Sequence, residues 1–142
     1  HVGTAPAVKR AVKLPSIETH DPLSALLLLR AFKAPNGTRA VLFALGGLRL
    51  WRTELAISGR EVVESALGRR PTVRITGVSR RLLSSLADDS AGKPRSFTLW
   101  VTDDEQRIPL RAVATTEYGD VEVRATSYES ARDARPYARF AR

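Results

Sequence analysis

From Thr38 onward the apolar residues fall at every second position, in short runs broken by glycine or acidic turn residues. That period belongs to strands with one face buried, and turns this short make antiparallel pairing of neighbours the readiest topology. Residues 38–45 read as a strongly apolar strand ended by Gly46-Gly47, a two-residue hairpin signal. Residues 48–58 return, with a slip of phase at Leu50-Trp51 that predicts a bulge or burial on both sides. Gly59-Arg60 is expected to turn the chain into a strand at 61–67, and Gly68-Arg69 into one at 71–78. Three further strands follow at 95–102, 106–116 and 121–128, the last with Val121, Val123 and Ala125 alternating with Glu122, Arg124 and Thr126.

Ahead of the sheet lies one helix signal. Asp21 can cap, Pro22 suits the first helical position, and residues 23–33 are good helix formers, so a helix is expected over 21–34. Pro35 stops it and Asn36-Gly37 turns the chain. Leu23, Leu26, Leu27 and Phe32 are core-type residues, and Leu28 and Leu29 widen the apolar arc, so this helix must pack on something large. The expected fold is mainly β (α+β). It is a curved antiparallel meander of about six or seven strands packed on one N-terminal helix, an incomplete half-barrel. Residues 21–129 form its single domain. Residues 1–20, with Pro6 and Pro15, read as a leading arm or edge strand, and 130–142 as an arginine-rich frayed tail. Residues 79–94 read as an exposed, mobile loop with a short turn of helix at 82–86.

Composition removes most chemistry. The chain carries no cysteine, which excludes disulfides, thiolate metal sites and cysteine nucleophiles. With two histidines, one of them His1, no histidine metal site is expected. Asp21, beside His20, is better used as a helix cap, and Asp103-Asp104-Glu105 as an acidic turn. Neither a Gly-x-Ser-x-Gly elbow nor a phosphate-binding glycine loop occurs. No catalytic residue, cofactor or metal is therefore expected. The uncharged apolar runs, such as residues 22–29, fall far short of the ~20 residues that span a bilayer. The net charge of +8 is almost all arginine, since lysine occurs only at 9, 13, 33 and 93. Spread along the chain, it reads as a solvated surface. Arg74, Arg111 and Arg124, with Trp51, Trp100 and Tyr128 for stacking, are the candidates for binding nucleic acid or another polyanion. At 6% aromatic residues, nucleic acid is the disfavoured partner.

Three segments together resemble a known family. Asp21 to Arg30 resembles the D-x-L-S-x-x-x-x-x-R helix of bacterial domain-of-unknown-function family 3108, whose members are exported. Gly59-Arg60-Glu61-Val62-Val63 with Gly68 resembles its G-x-E-x-V…G hairpin. Trp100, Thr102-Asp103-Asp104, Arg107 and Pro109-Leu110-Arg111 resemble its W-x-T-D-D-x-x-R-x-P-L-R stretch. The resemblance runs from about residue 17 to residue 129. It implies a Gram-negative protein of the periplasm or outer-membrane periphery, made with a signal peptide, and a fold similar to LolA-type lipoprotein carriers. It carries over no catalytic residue. Members of the family have strands before the helix. This chain contains no methionine and begins at His1, so it is expected to be the C-terminal part of such a domain, its signal peptide already absent. The expected function is non-enzymatic: a lipid, acyl chain or lipoprotein segment held in a groove between sheet and helix. Leu26, Leu29, Phe43, Trp51 and Trp100 are its candidate lining. The alternative is an assembly module that binds another envelope protein or its own N-terminal half.

Overall fold

A computed structural model describes residues 19–129. One helix, α1 (Pro22–Ala31), precedes six strands: β1 (Arg39–Gly46), β2 (Arg49–Ser65), β3 (Gly68–Leu82), β4 (Arg95–Thr102), β5 (Pro109–Thr116) and β6 (Gly119–Arg124). The strands form one antiparallel sheet in sequence order. It is open, and β1 and β6 are its outer members. The leading arm, apart from Thr19 and His20, and the tail lie outside the described residues; His20 bridges Ala44 in parallel on the outer side of β1.

The helix begins where its signals stand. Asp21 accepts the Ser24 N–H at 2.9 Å and the Ser24 hydroxyl at 2.7 Å, which hold its carboxyl below the usual carboxylate range. It ends at Ala31, three residues short of expectation, with Phe32 already extended at its C-cap. Ten residues are too few to be stable alone in water, so packing must hold this helix in place.

Several turns sit elsewhere than the glycines suggest. The first hairpin turns at Gly47-Leu48, both with positive φ (59° and 61°), the pairing that matches the twist of flanking strands. The predicted turn at Gly59-Arg60 does not exist: β2 runs straight through it with a register shift between Ile57 and Gly59. There an extra residue bulges out, which glycine permits as readily as a turn. Of the two readings of Leu50-Trp51, burial on both sides holds and the bulge does not. The ladder is regular, Leu50 is buried on one face and Trp51 half-buried on the other. Of the expected exposed loop 79–94, residues 83–94 are irregular and mostly exposed as read, but 79–82 belong to β3 and no helical turn follows. Beyond it Asp89 accepts from Arg81 Nε at 2.9 Å, Asp88 pairs with Arg52 at 2.8 Å, and Leu82 bridges Asp88.

Cross-strand partners share a face, so register sorts the side chains. Ile57, Val73, Ile75, Leu99 and Val101 lie on one face as a buried core cluster, and Leu29, Phe32 and Ala34 pack on it. This is the helix-bearing face. The opposite face carries Phe43, Arg52, Arg74, Trp100, Arg111 and Arg124.

Candidate functional site

The motif residues converge, and what they build is an anchor for the helix. Arg107 occupies the turn after β4 with φ of 49°, and it is only 5% exposed. Its Nε donates to the Arg30 carbonyl at 3.0 Å and its Nη2 to the Phe32 carbonyl, so two orphan carbonyls at the helix C-terminus are satisfied. Arg30 reciprocates, donating to the carbonyls of Arg107 and Gln106 at 2.8 Å each. The turn is shaped by Thr102 and Asp104: the Thr102 hydroxyl donates to Asp104 at 2.7 Å and accepts from the Ile108 N–H at 2.8 Å. Arg60 adds a third tie, reaching the Ala34 carbonyl at 3.0 Å and Asp103 at 3.3 Å. The scattered arginines thus include a buried one with a structural task, which corrects the reading of them as a solvated background.

Burial raises the Asp104 carboxyl. The Thr102 hydroxyl, the Arg107 and Gln106 N–H groups and the Arg70 charge outweigh it and leave the carboxyl below its ordinary value of 3.8. The folded state therefore prefers the carboxylate. Its contribution to stability is complete above 3.8 and disappears as pH falls through the lower folded value. Urea unfolding across the acid range should show a shallower loss of stability in Asp104→Asn than in the parent chain. Parallel curves would refute the linkage.

The opposite face carries a second constellation. Arg74, Trp100, Arg111 and Arg124 form one cross-strand row. The Arg111 guanidinium stacks 4.7 Å from the Trp100 ring centre, and Trp100 Nε1 donates to Glu61 at 2.9 Å. Glu61 pairs with Arg74 at 2.8 Å, while Glu122 pairs with Arg111 at 2.8 Å and Arg124 at 2.5 Å. The hydrogen bonds from Arg124 and Arg111 hold Glu122 below the usual carboxylate range. The three polyanion candidates are brought together, but each already has a carboxylate.

The five groove candidates are not brought together. Trp51 is on the helix-bearing face, Phe43 and Trp100 on the other, Leu29 in the core packing, and Leu26 is 48% exposed. The helix-bearing face nonetheless has an opening. The helix covers only the part of the face around Ile57 and Val101, and beside it a cleft of about 310 Å³ is lined by Ala44, Trp51, Phe97 and Ala114, with Arg95 at its exposed rim. Arg95 lies 4.7 Å over the Trp51 ring. The helix turns outward Leu23, Leu26, Leu27 and Leu28, 46–66% exposed. A larger cleft of about 560 Å³ crosses β1 to β4 among Val41, Glu54, Ala56, Thr76 and Val78. Sequence reasoning missed Arg95 and Phe97 as cleft residues, although their spacing of two on a strand was a signal that they share a face.

Among the described residues no three His, Asp or Glu side chains converge to hold a metal ion, and no helix is long and apolar enough to cross a membrane. The model of the family described as "Protein of unknown function (DUF3108)" matches residues 2–126. No curated protein and no solved structure matches the chain.

Proposed function

The chain belongs to the DUF3108 family, and from that premise we propose that it is a non-enzymatic cell-envelope domain that binds a lipid, acyl chain or lipoprotein segment on its helix-bearing face. The observation that carries this reading is an apolar surface left uncovered: four half-exposed leucines on α1, and on the same side of the sheet the Trp51–Phe97–Ala114 cleft. Exposed leucines that neighbour one another on one short helix form an apolar patch of the kind that marks an interaction site. Placement in the periplasm or at the outer-membrane periphery is part of the same proposal and rests on the family resemblance. The arginine row supports polyanion binding less well, since Glu61 and Glu122 already neutralise much of it.

Native mass spectrometry of gently purified protein should reveal a bound amphiphile, and the protein should take up a fluorescent fatty acid. Ala114→Trp, which fills the cleft, should reduce uptake about tenfold, the effect of losing some 1.4 kcal/mol of contact. No bound amphiphile together with no uptake by the parent chain would sink the proposal. A second reading, docking of another envelope protein, is favoured by β6, an outer strand exposed along its length, with Val121 and Val123 on the helix-bearing face. It requires a protein that co-purifies and buries more than ~1,000 Å².

A further inference from the structure

We infer that the ligand of the helix-bearing cleft is a single-chain carboxylate amphiphile, a fatty-acid anion whose head group pairs with Arg95; this rests on the apolar-ligand reading above. The first support is electrostatic. Arg52, Arg60, Arg74, Arg81, Arg111 and Arg124 each have an acidic partner. Arg95 has none among the described residues; Arg39, Arg49, Arg69 and Arg80 share that lack but do not line this cleft, and the Arg95 guanidinium rests on the Trp51 ring. That ring is itself fixed, because Trp51 Nε1 donates to the Gly46 carbonyl at 3.2 Å. The guanidinium is thus held at the rim of the cleft with its fork of donors unused by any carboxylate, and a carboxylate is the geometric match for that fork.

The second support is the character and size of the cleft. Ala44, Phe97 and Ala114 present apolar walls. The Thr53 and Ser79 hydroxyls at its floor share one hydrogen bond at 2.7 Å. At about 310 Å³ the cleft is at the lower end of small-ligand sites, which run from roughly 300 to 1,000 Å³. One acyl chain suits it better than the two of a phospholipid. One arginine likewise balances one negative charge.

Titration of the full chain with laurate and with its uncharged methyl ester, both below their aggregation thresholds, tests this. The parent chain should bind laurate at least about tenfold more tightly than the ester, a factor within reach of one charge-assisted hydrogen-bonded pair. Arg95→Ala should weaken laurate by that factor and leave the ester within about twofold, with the melting temperature lowered by no more than about 5 °C, the cost of the lost stacking on Trp51. Equal binding of laurate and ester by the parent chain, or an equal loss of both in Arg95→Ala, would overturn the inference while leaving apolar binding intact. Binding of neither ligand would instead remove the apolar-ligand reading, and this inference with it.

Discussion

Arg107→Ala should lower the unfolding free energy by about 4 kcal/mol, since hydrogen bonds from a charged donor contribute about 1.5–3 kcal/mol each and two carbonyls lose theirs. Arg30 and Phe32 supply those carbonyls, at the end of a helix too short to persist undocked. The melting temperature should fall by roughly 10–20 °C, and the loss should include helical signal in circular dichroism. Two further variants separate the contributions. Arg107→Lys keeps the charge but lacks a planar fork, so it should recover little. Arg107→Gly removes the same bonds, yet it relaxes a backbone held at φ of 49°, and it should be about 1 kcal/mol more stable than the alanine variant. A loss below about 1 kcal/mol in Arg107→Ala would mean that the helix is held by other contacts.

Ile75→Ala should be comparably severe, costing about 2–5 kcal/mol. Ile75 is fully buried, opposite Ile57 on β2 and Leu99 on β4, within the cluster on which the helix rests. Its neighbours belong to hydrogen-bonded strands and cannot close the space left behind. That loss is a large share of the roughly 5–15 kcal/mol that holds a domain together. Val62→Ala, at a residue 52% exposed, should change stability by no more than about 0.5 kcal/mol. Urea midpoints at constant m-value make the comparison. A cost near 1 kcal/mol for Ile75→Ala would mean that the core collapses around the gap.

The difference between what sequence reasoning reached and what it did not has a physical source. Alternation is local, so the strands and their antiparallel order were legible, and so was a helix start marked by Asp21 and Pro22. Turn positions were less so. Leu48, not a glycine, adopts positive φ and moves the hairpin one residue beyond Gly46-Gly47, and Gly59 serves a bulge where a turn was expected. Register was not legible at all, and register decides which tryptophan faces the helix. Trp51 and Trp100 look alike in sequence but stand on opposite faces, which divides the expected groove lining. Arg107 was the hardest to see. It stands beside acidic turn residues, as a solvated arginine would, and is buried only because chain 75–77 residues earlier docks against it.

The bulge at Ile57–Gly59 assigns the two side chains beyond it. With one residue inserted, Arg60 falls opposite Val73 on the helix-bearing face and Glu61 opposite Thr72 on the face of Trp100. Without it their places would be exchanged: Arg60 would leave Ala34 and Asp103, and Glu61 would leave Trp100 and Arg74. The number of residues between Ile57 and Glu61 is therefore as binding as their identities. Side chains in this stretch can be exchanged one at a time at local expense, whereas deleting a single residue would release the Arg60 tie behind the helix on one side of the sheet and the Glu61 contacts of the tryptophan row on the other.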